Sequence, residues 1–278
     1  MDQLSATLPL TTVAAPSRLP RIVIDLEKLR HINCGLGRFS LYLGRELLSL
    51  AGGRFEPVFF LPRGGEHYFT AAAGVDYDTI RVRPWRKESL LRWLRPLGRH
   101  LPRLEQPDIW HVTNQMSRYL PLDDRVPVVL TIHDLNFLHT DHEHLQADRI
   151  HRKLTAIQRR VDRAVAITTV SQFTADDVRA RLRVGEKPIY VIPNGLTQPP
   201  VAAAHRPFWL PDGPFAFSVG NFLHHKNFHV LAGLAERMPN RRLVIAGEKA
   251  TPYGEQVEQQ IRKQGLGDRV ILPGIVSD

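Results

Sequence analysis

Short apolar, β-branched runs alternate with stretches of helical periodicity along most of the chain. Arg21-Ile22-Val23-Ile24-Asp25 reads as a first strand, and Phe39, Tyr42, Leu43, Leu47 and Leu50 then recur at helical spacing. Residues 57–61, 108–112 and 128–132 read as further strands. Ile150, Leu154, Ile157 and Val161 mark a helix, a strand follows over 164–170, Thr174 is the expected N-cap of the next helix, and residues 188–192 form another strand. This strand-helix alternation predicts an α/β fold with a parallel, doubly wound sheet.

The pattern breaks over residues 197–214, where Pro199, Pro200, Pro207, Pro211 and Pro214 suit neither a helix nor an internal strand. This stretch reads as a linker. Beyond it the alternation restarts: strand 215–219, helix 227–237, strand 242–246, helix 254–264 and strand 269–272. The expected organisation is a loose tail over 1–20, a Rossmann-like domain over 21–196, the linker, and the opening part of a second such domain over 215–278. On this reading the second domain is incomplete.

Composition narrows the class. With 43% hydrophobic and 23% charged residues the chain is ordinary globular protein, and its single cysteine, Cys34, cannot form an internal disulfide and suits a cytoplasmic setting. Residues 1–20 lack the basic start and apolar core of a signal peptide. The formal charge of +9, from 37 Lys and Arg against 28 Asp and Glu, favours anionic partners. Zinc-finger spacing, an aromatic RNA-binding signature and a helix-turn-helix are all missing, so nucleic acid is not the expected partner.

Candidate chemistry sits at the carboxyl ends of the expected strands, where ligands of open α/β sheets bind. Gly35 and Gly37, in Cys34-Gly35-Leu36-Gly37-Arg38, fit either a loop admitting an anion or a tight strand-to-helix turn. Ser40 stands where the third glycine of a dinucleotide fingerprint would be. Thr131-Ile132-His133-Asp134 puts a histidine at a strand end, as a ligand contact or a structural hydrogen bond. Val170-Ser171-Gln172-Phe173-Thr174 repeats the arrangement with hydroxyls, and Ile192-Pro193-Asn194-Gly195 is a turn. In the second half, Gly220 and Asn221 precede Lys226, a cation that could neutralise a leaving diphosphate or be an ordinary surface lysine. Asp76-Tyr77-Asp78 has the spacing of a metal-binding Asp-x-Asp, a spacing that also arises often by chance, and His139, Asp141, His142, Glu143 and His144 form either a set of possible ligands or a solvated polar loop.

Residues 81–103 combine Arg86, Lys87, Arg92, Arg95 and other arginines with Trp85, Trp93 and several leucines. This composition suits a helix lying on an anionic membrane or one packed on its own domain. The membrane reading predicts that the chain binds anionic liposomes and that changing four of these arginines to glutamate abolishes binding.

Taken in order, the glycine loop, the His133 and Ser171 strand ends, Asn194-Gly195, Gly220 with Lys226-Asn227, and Val244-Ile245-Ala246-Gly247 resemble the retaining glycosyltransferases of family 4. Bacterial mannosyltransferase-like members of surface polysaccharide synthesis are the nearest in pattern. The resemblance runs from Arg21 to Asp278 and implies the GT-B fold. It also implies transfer of a hexose, with retention, from a nucleotide diphosphate sugar to a lipid-linked or polysaccharide acceptor, without metal or resident cofactor. His133 would contact the transferred sugar and Lys226 the diphosphate. Gly35, Gly37, Gly220 and Asn221 would line the donor, and Arg38, Asp134 and Ser171 the acceptor side. Two departures stand out. Asn221, Phe222, Leu223, His224 and His225 fill the stretch where relatives carry an arginine, and no Glu-x7-Glu motif follows. The alternative expectation is accordingly a non-catalytic fragment or split-enzyme half that binds acceptor or membrane; on either reading the expected location is the cytoplasm, at the inner face of the cytoplasmic membrane where the basic segment engages it.

Overall fold

A computed structural model of the chain describes residues 18–69, 76–83, 107–139, 147–196 and 206–276. It divides into two compact units, Met1–Thr197 and Gln198–Asp278.

The first unit is built on seven parallel strands: β1 (Arg21–Asp25), β2 (Glu56–Leu61), β3 (Asp78–Arg81), β4 (Ile109–Val112), β5 (Val128–Ile132), β6 (Ala166–Thr169) and β7 (Ile189–Val191). Their order across the sheet is β3-β2-β1-β4-β5-β6-β7. The chain thus winds outward from β1 in one direction, returns, and winds outward in the other. The reversal lies between β1 and β4, where Ile24 pairs with His111, and connections diverging there leave a crevice at the strands' carboxyl ends. Among the described residues three α-helices flank the sheet: α1 (Gly35–Ala51), α2 (Ala147–Arg163) and α3 (Gln172–Arg181). The central strands are apolar runs because both faces are covered; Val112, Val128, Leu130, Ile132 and Ile167 are fully buried.

Three local expectations are corrected. The apolar stripe read on α1 is only part of its packed face: Leu43 and Leu47 are half-buried against the core, Leu50 is 49% exposed, and the buried positions are Gly37, Ser40, Leu41, Gly44, Leu48 and Ala51. Small residues let this helix lie close to its neighbours, and a hydrophobicity pattern does not register them. The N-cap of α3 is Ser171 and not Thr174: the Ser171 side chain accepts from the Thr174 N–H at 3.1 Å. Strand β3 was not anticipated, because it is a short edge strand with mostly exposed residues. Its Asp78, half of the Asp-x-Asp pair, is ion-paired with Arg21, and Tyr77 packs its ring 5.0 Å from Phe59. Arg81 ends this strand, so the basic segment does not begin as a helix there; Arg86, Lys87, Arg92, Trp93 and Arg95 lie outside the described residues.

The second unit has three parallel strands, β8 (Phe215–Val219), β9 (Arg242–Ala246) and β10 (Val270–Gly274), in the order β10-β9-β8, with helices α4 (Phe228–Arg237) and α5 (Pro252–Lys263). Phe222, Phe228, Ile245, Tyr253, Val257 and Ile261 make its core. Helix α5 begins as its sequence dictates, with Thr251 accepting from the Gly254 N–H at 2.9 Å and Pro252 in the first turn.

Candidate active site

The carboxyl ends of β1, β4, β5 and β6 converge on a polar, largely buried network. Asp25 closes β1 and is fully buried; its carboxylate accepts from the Ser117 hydroxyl and, at 3.0 Å, from the Glu27 N–H. The Thr113 hydroxyl donates to the Asp25 carbonyl. Residues 113–117, just beyond β4, are thereby tied to β1. At the far side of the same segment, Arg160 of α2 donates to the Ser117 carbonyl.

That segment also holds His133. The His133 Nε2 lies 2.9 Å from the Thr113 carbonyl, which can only accept, so Nε2 carries the proton and Nδ1 the lone pair. Gln115 accepts from the His133 N–H at 3.2 Å and donates to the Asp134 carbonyl at 2.9 Å. The Thr174 hydroxyl donates to the His133 carbonyl at 3.1 Å, and the Phe39 ring of α1 meets the imidazole edge-on at 4.5 Å.

Burial governs the titration of these groups. It pushes Asp25 up to about 7, reinforced by neighbouring Glu27 and opposed by the Ser117 hydrogen bond. It pushes His111 down to about 4, with His133 contributing; His111 Nε2 lies 2.8 Å from the Thr131 hydroxyl. His133 is also lowered, chiefly by burial, so its imidazole is neutral near pH 7 and Nδ1 is an acceptor.

The other residues singled out in this unit have distinct settings. A Cβ on Gly37 would lie 2.1 Å from the His31 carbonyl oxygen, so packing against the preceding turn requires this glycine. Gly35 opens α1 in open space, and Cys34 before it provides no side-chain cap, which leaves the first-turn N–H groups without that partner. Arg38 is half-buried on the same turn. Asp134 accepts from the Asn136 N–H at 3.1 Å and makes no hydrogen bond with His133. Ser171 is committed to capping α3. His139 pairs with Asp177 at 2.8 Å, and the rest of its cluster lies outside the described residues. Asp25, Thr113, Gln115 and Ser117 were missed by sequence reasoning. The available signal was a carboxylate at the end of one apolar strand and the polar run Thr113-Asn114-Gln115 after another.

In the second unit, Gly220 and Asn221 follow β8. A Cβ on Gly247, which follows β9, would lie 2.0 Å from the Gly220 carbonyl oxygen, and Gly247 has φ +139°. The two strand-end loops touch closely through backbone, and the Thr251 hydroxyl donates to the Phe222 carbonyl at 2.7 Å. The stem of Lys226 runs beside Gly220, about 3.9 Å from where its Cβ would be, and the side chain is exposed. The His224 ring packs on Tyr253 at 4.5 Å between centroids. His225 is exposed on the same turn.

The profile of the family described as Glycosyltransferase Family 4 matches residues 34–197. No curated protein sequence matches the chain significantly. Among solved structures the chain is similar to Anabaena HepE, determined with UDP and glucose (TM-score 0.60, 16% identity, 93% of this chain and 70% of that one). It is similar to sucrose-phosphate synthase from Thermosynechococcus elongatus (TM-score 0.62, 18% identity, 94% and 71%). A glycosyltransferase from Rickettsia africae is comparable (TM-score 0.59, 13% identity, 94% and 69%). At such identities the likeness is one of fold, two Rossmann-like units of the GT-B class with the second smaller here.

Proposed function

The chain belongs to glycosyltransferase family 4, and from that membership we propose that it moves a hexose, mannose first among candidates, from a nucleotide diphosphate sugar to a lipid-linked or polysaccharide acceptor with retention of configuration. The observation that carries this reading is His133, a neutral imidazole with a defined tautomer at the end of β5, beside the sheet's reversal point. Its Nδ1 can accept from a sugar hydroxyl, which orients the transferred residue.

The leaving group develops negative charge on a phosphate oxygen as the glycosidic bond breaks. Lys226, exposed beside Gly220, would meet that charge, and the uncapped N–H groups at Gly35 suit an anion or a sugar oxygen. The proposal involves no resident metal or cofactor. Among the described residues no helix is long and apolar enough to cross a membrane. A setting at the cytoplasmic face of a membrane, suggested by the composition of residues 81–103, belongs to the proposal.

Calorimetric titration with GDP, UDP and their sugar conjugates tests the donor reading. Saturable binding of one nucleotide supports it and names the base; no binding by the folded chain would remove it. In a transfer assay, His133→Ala is expected to lower turnover on the order of 10²-fold, as for loss of one directed transition-state hydrogen bond. Undiminished transfer would overturn the assignment of His133.

A further inference from the structure

His133 owes its orientation to groups outside its own strand. Gln115 spans the backbone on both sides of it, accepting before the residue and donating after it, at 3.2 and 2.9 Å. One carboxamide making both bonds admits a single orientation, because a flipped amide would set N–H against N–H and carbonyl against carbonyl. The ring is fixed separately through Nε2 and the Thr113 carbonyl. Both contacts come from residues 113–117, and that segment is tied to β1 by the Asp25 carboxylate and carbonyl. Gln115, Thr113, Ser117 and Asp25 are all buried, so water offers these bonds little competition.

We infer that Gln115 and Asp25 are positioning residues for His133: Gln115 fixes the backbone that bears the imidazole, and Asp25 anchors the segment whose Thr113 carbonyl selects the Nε2–H tautomer. The inference rests on the proposed role of His133 in contacting the transferred sugar. Its consequence is that Nδ1 faces the substrate as an acceptor. If the anchoring is lost, the tautomers mix, a fraction of the molecules presents an N–H where a lone pair is needed, and turnover falls while donor binding persists. A purely structural polar plug would change stability without altering the tautomer.

The experiment compares wild type with Gln115→Met, which keeps length but removes both hydrogen bonds, and Asp25→Asn, which is isosteric. Thr174→Val serves as a control, because it removes a hydrogen bond to the His133 carbonyl while leaving both Gln115 contacts and the Thr113–Nε2 contact in place. Circular dichroism establishes folding, nitrogen-15 NMR reads the His133 tautomer, and transfer kinetics are measured in parallel. Wild type and Thr174→Val should show the Nε2–H form alone. Gln115→Met and Asp25→Asn should show mixed tautomers and a kcat about tenfold to a hundredfold lower, with KM within about twofold. Folded Gln115→Met and Asp25→Asn proteins that keep the wild-type tautomer would overturn the inference. Mixed tautomers in these variants, in a chain whose wild type transfers no sugar, would support the positioning role while removing the sugar-transfer reading.

Discussion

In the first unit the residues around His133 are buried and hydrogen-bonded to one another across four strand ends, whereas in the second Lys226 is exposed and its loop is shaped by backbone contact. The first arrangement suits a group whose direction matters. An imidazole accepts from one nitrogen along one line, and side-chain hydrogen bonds in a low-dielectric setting hold that line. The second suits a group whose charge matters. An ammonium on a flexible stem needs only to be near a phosphate, and glycine contacts that bring two loops together are enough to place it. The contrast teaches that the two candidate groups are held differently: buried polar side chains orient His133, whereas close contact at glycines shapes the loop that carries Lys226.

The largest test of that contrast is Gly247→Ala. The added Cβ overlaps the Gly220 carbonyl oxygen, and φ +139° is unfavourable for alanine. Destabilisation of about 3 kcal/mol is expected, confined to the second unit, with amide exchange in the first unit unchanged. If the loops adjusted at no measurable cost, backbone contact would not be what shapes them.

A smaller, pH-dependent effect should separate the buried network. Folding raises Asp25 from 3.8 to about 7, so the folded chain holds a proton that the unfolded chain has released between those values. Stability from this group is therefore lost as pH rises from about 4 to about 7. His111, lowered from 6.5 to about 4, works oppositely: stability is lost as pH falls through that window. Asp25→Asn abolishes only the first contribution. Its melting temperature relative to wild type should climb from pH 4 to pH 7 and level off above. A flat difference across that range would mean that Asp25 is not buried as an acid.

Lys226→Ala should have the smallest effect on stability, within about 0.5 kcal/mol, because the side chain is exposed. Affinity for a nucleoside diphosphate should nevertheless fall about tenfold, the cost of one charge-assisted contact. Unchanged affinity would move the diphosphate away from Lys226.

The elements were largely legible in the sequence because strand and helix periodicity are local. Residues 128–132 are apolar enough to require cover on both faces, and the helix expected over 254–264 forms over Pro252–Lys263. Gly220 and Lys226 were legible too, since turn, glycine and cation are neighbours in the chain. The Gln115 clamp was not. Its partners are 18 and 19 residues away, and Asp25 reaches Ser117 across 92. Nor does periodicity reveal that α1 packs through Gly37 and Gly44 and leaves Leu50 in water, since closeness of approach depends on what lies opposite.

By itself the sequence determined the α/β class, the strand-helix order, the family pattern and His133 and Lys226 as residues to examine, all of which depend on neighbours a few positions apart. Only the tertiary structure decided which face of α1 is buried, that Ser171 caps a helix, and that His133 carries its proton on Nε2. Those outcomes depend on groups brought together from distant strands, where burial changes the cost of every charge and every unpaired hydrogen-bonding atom.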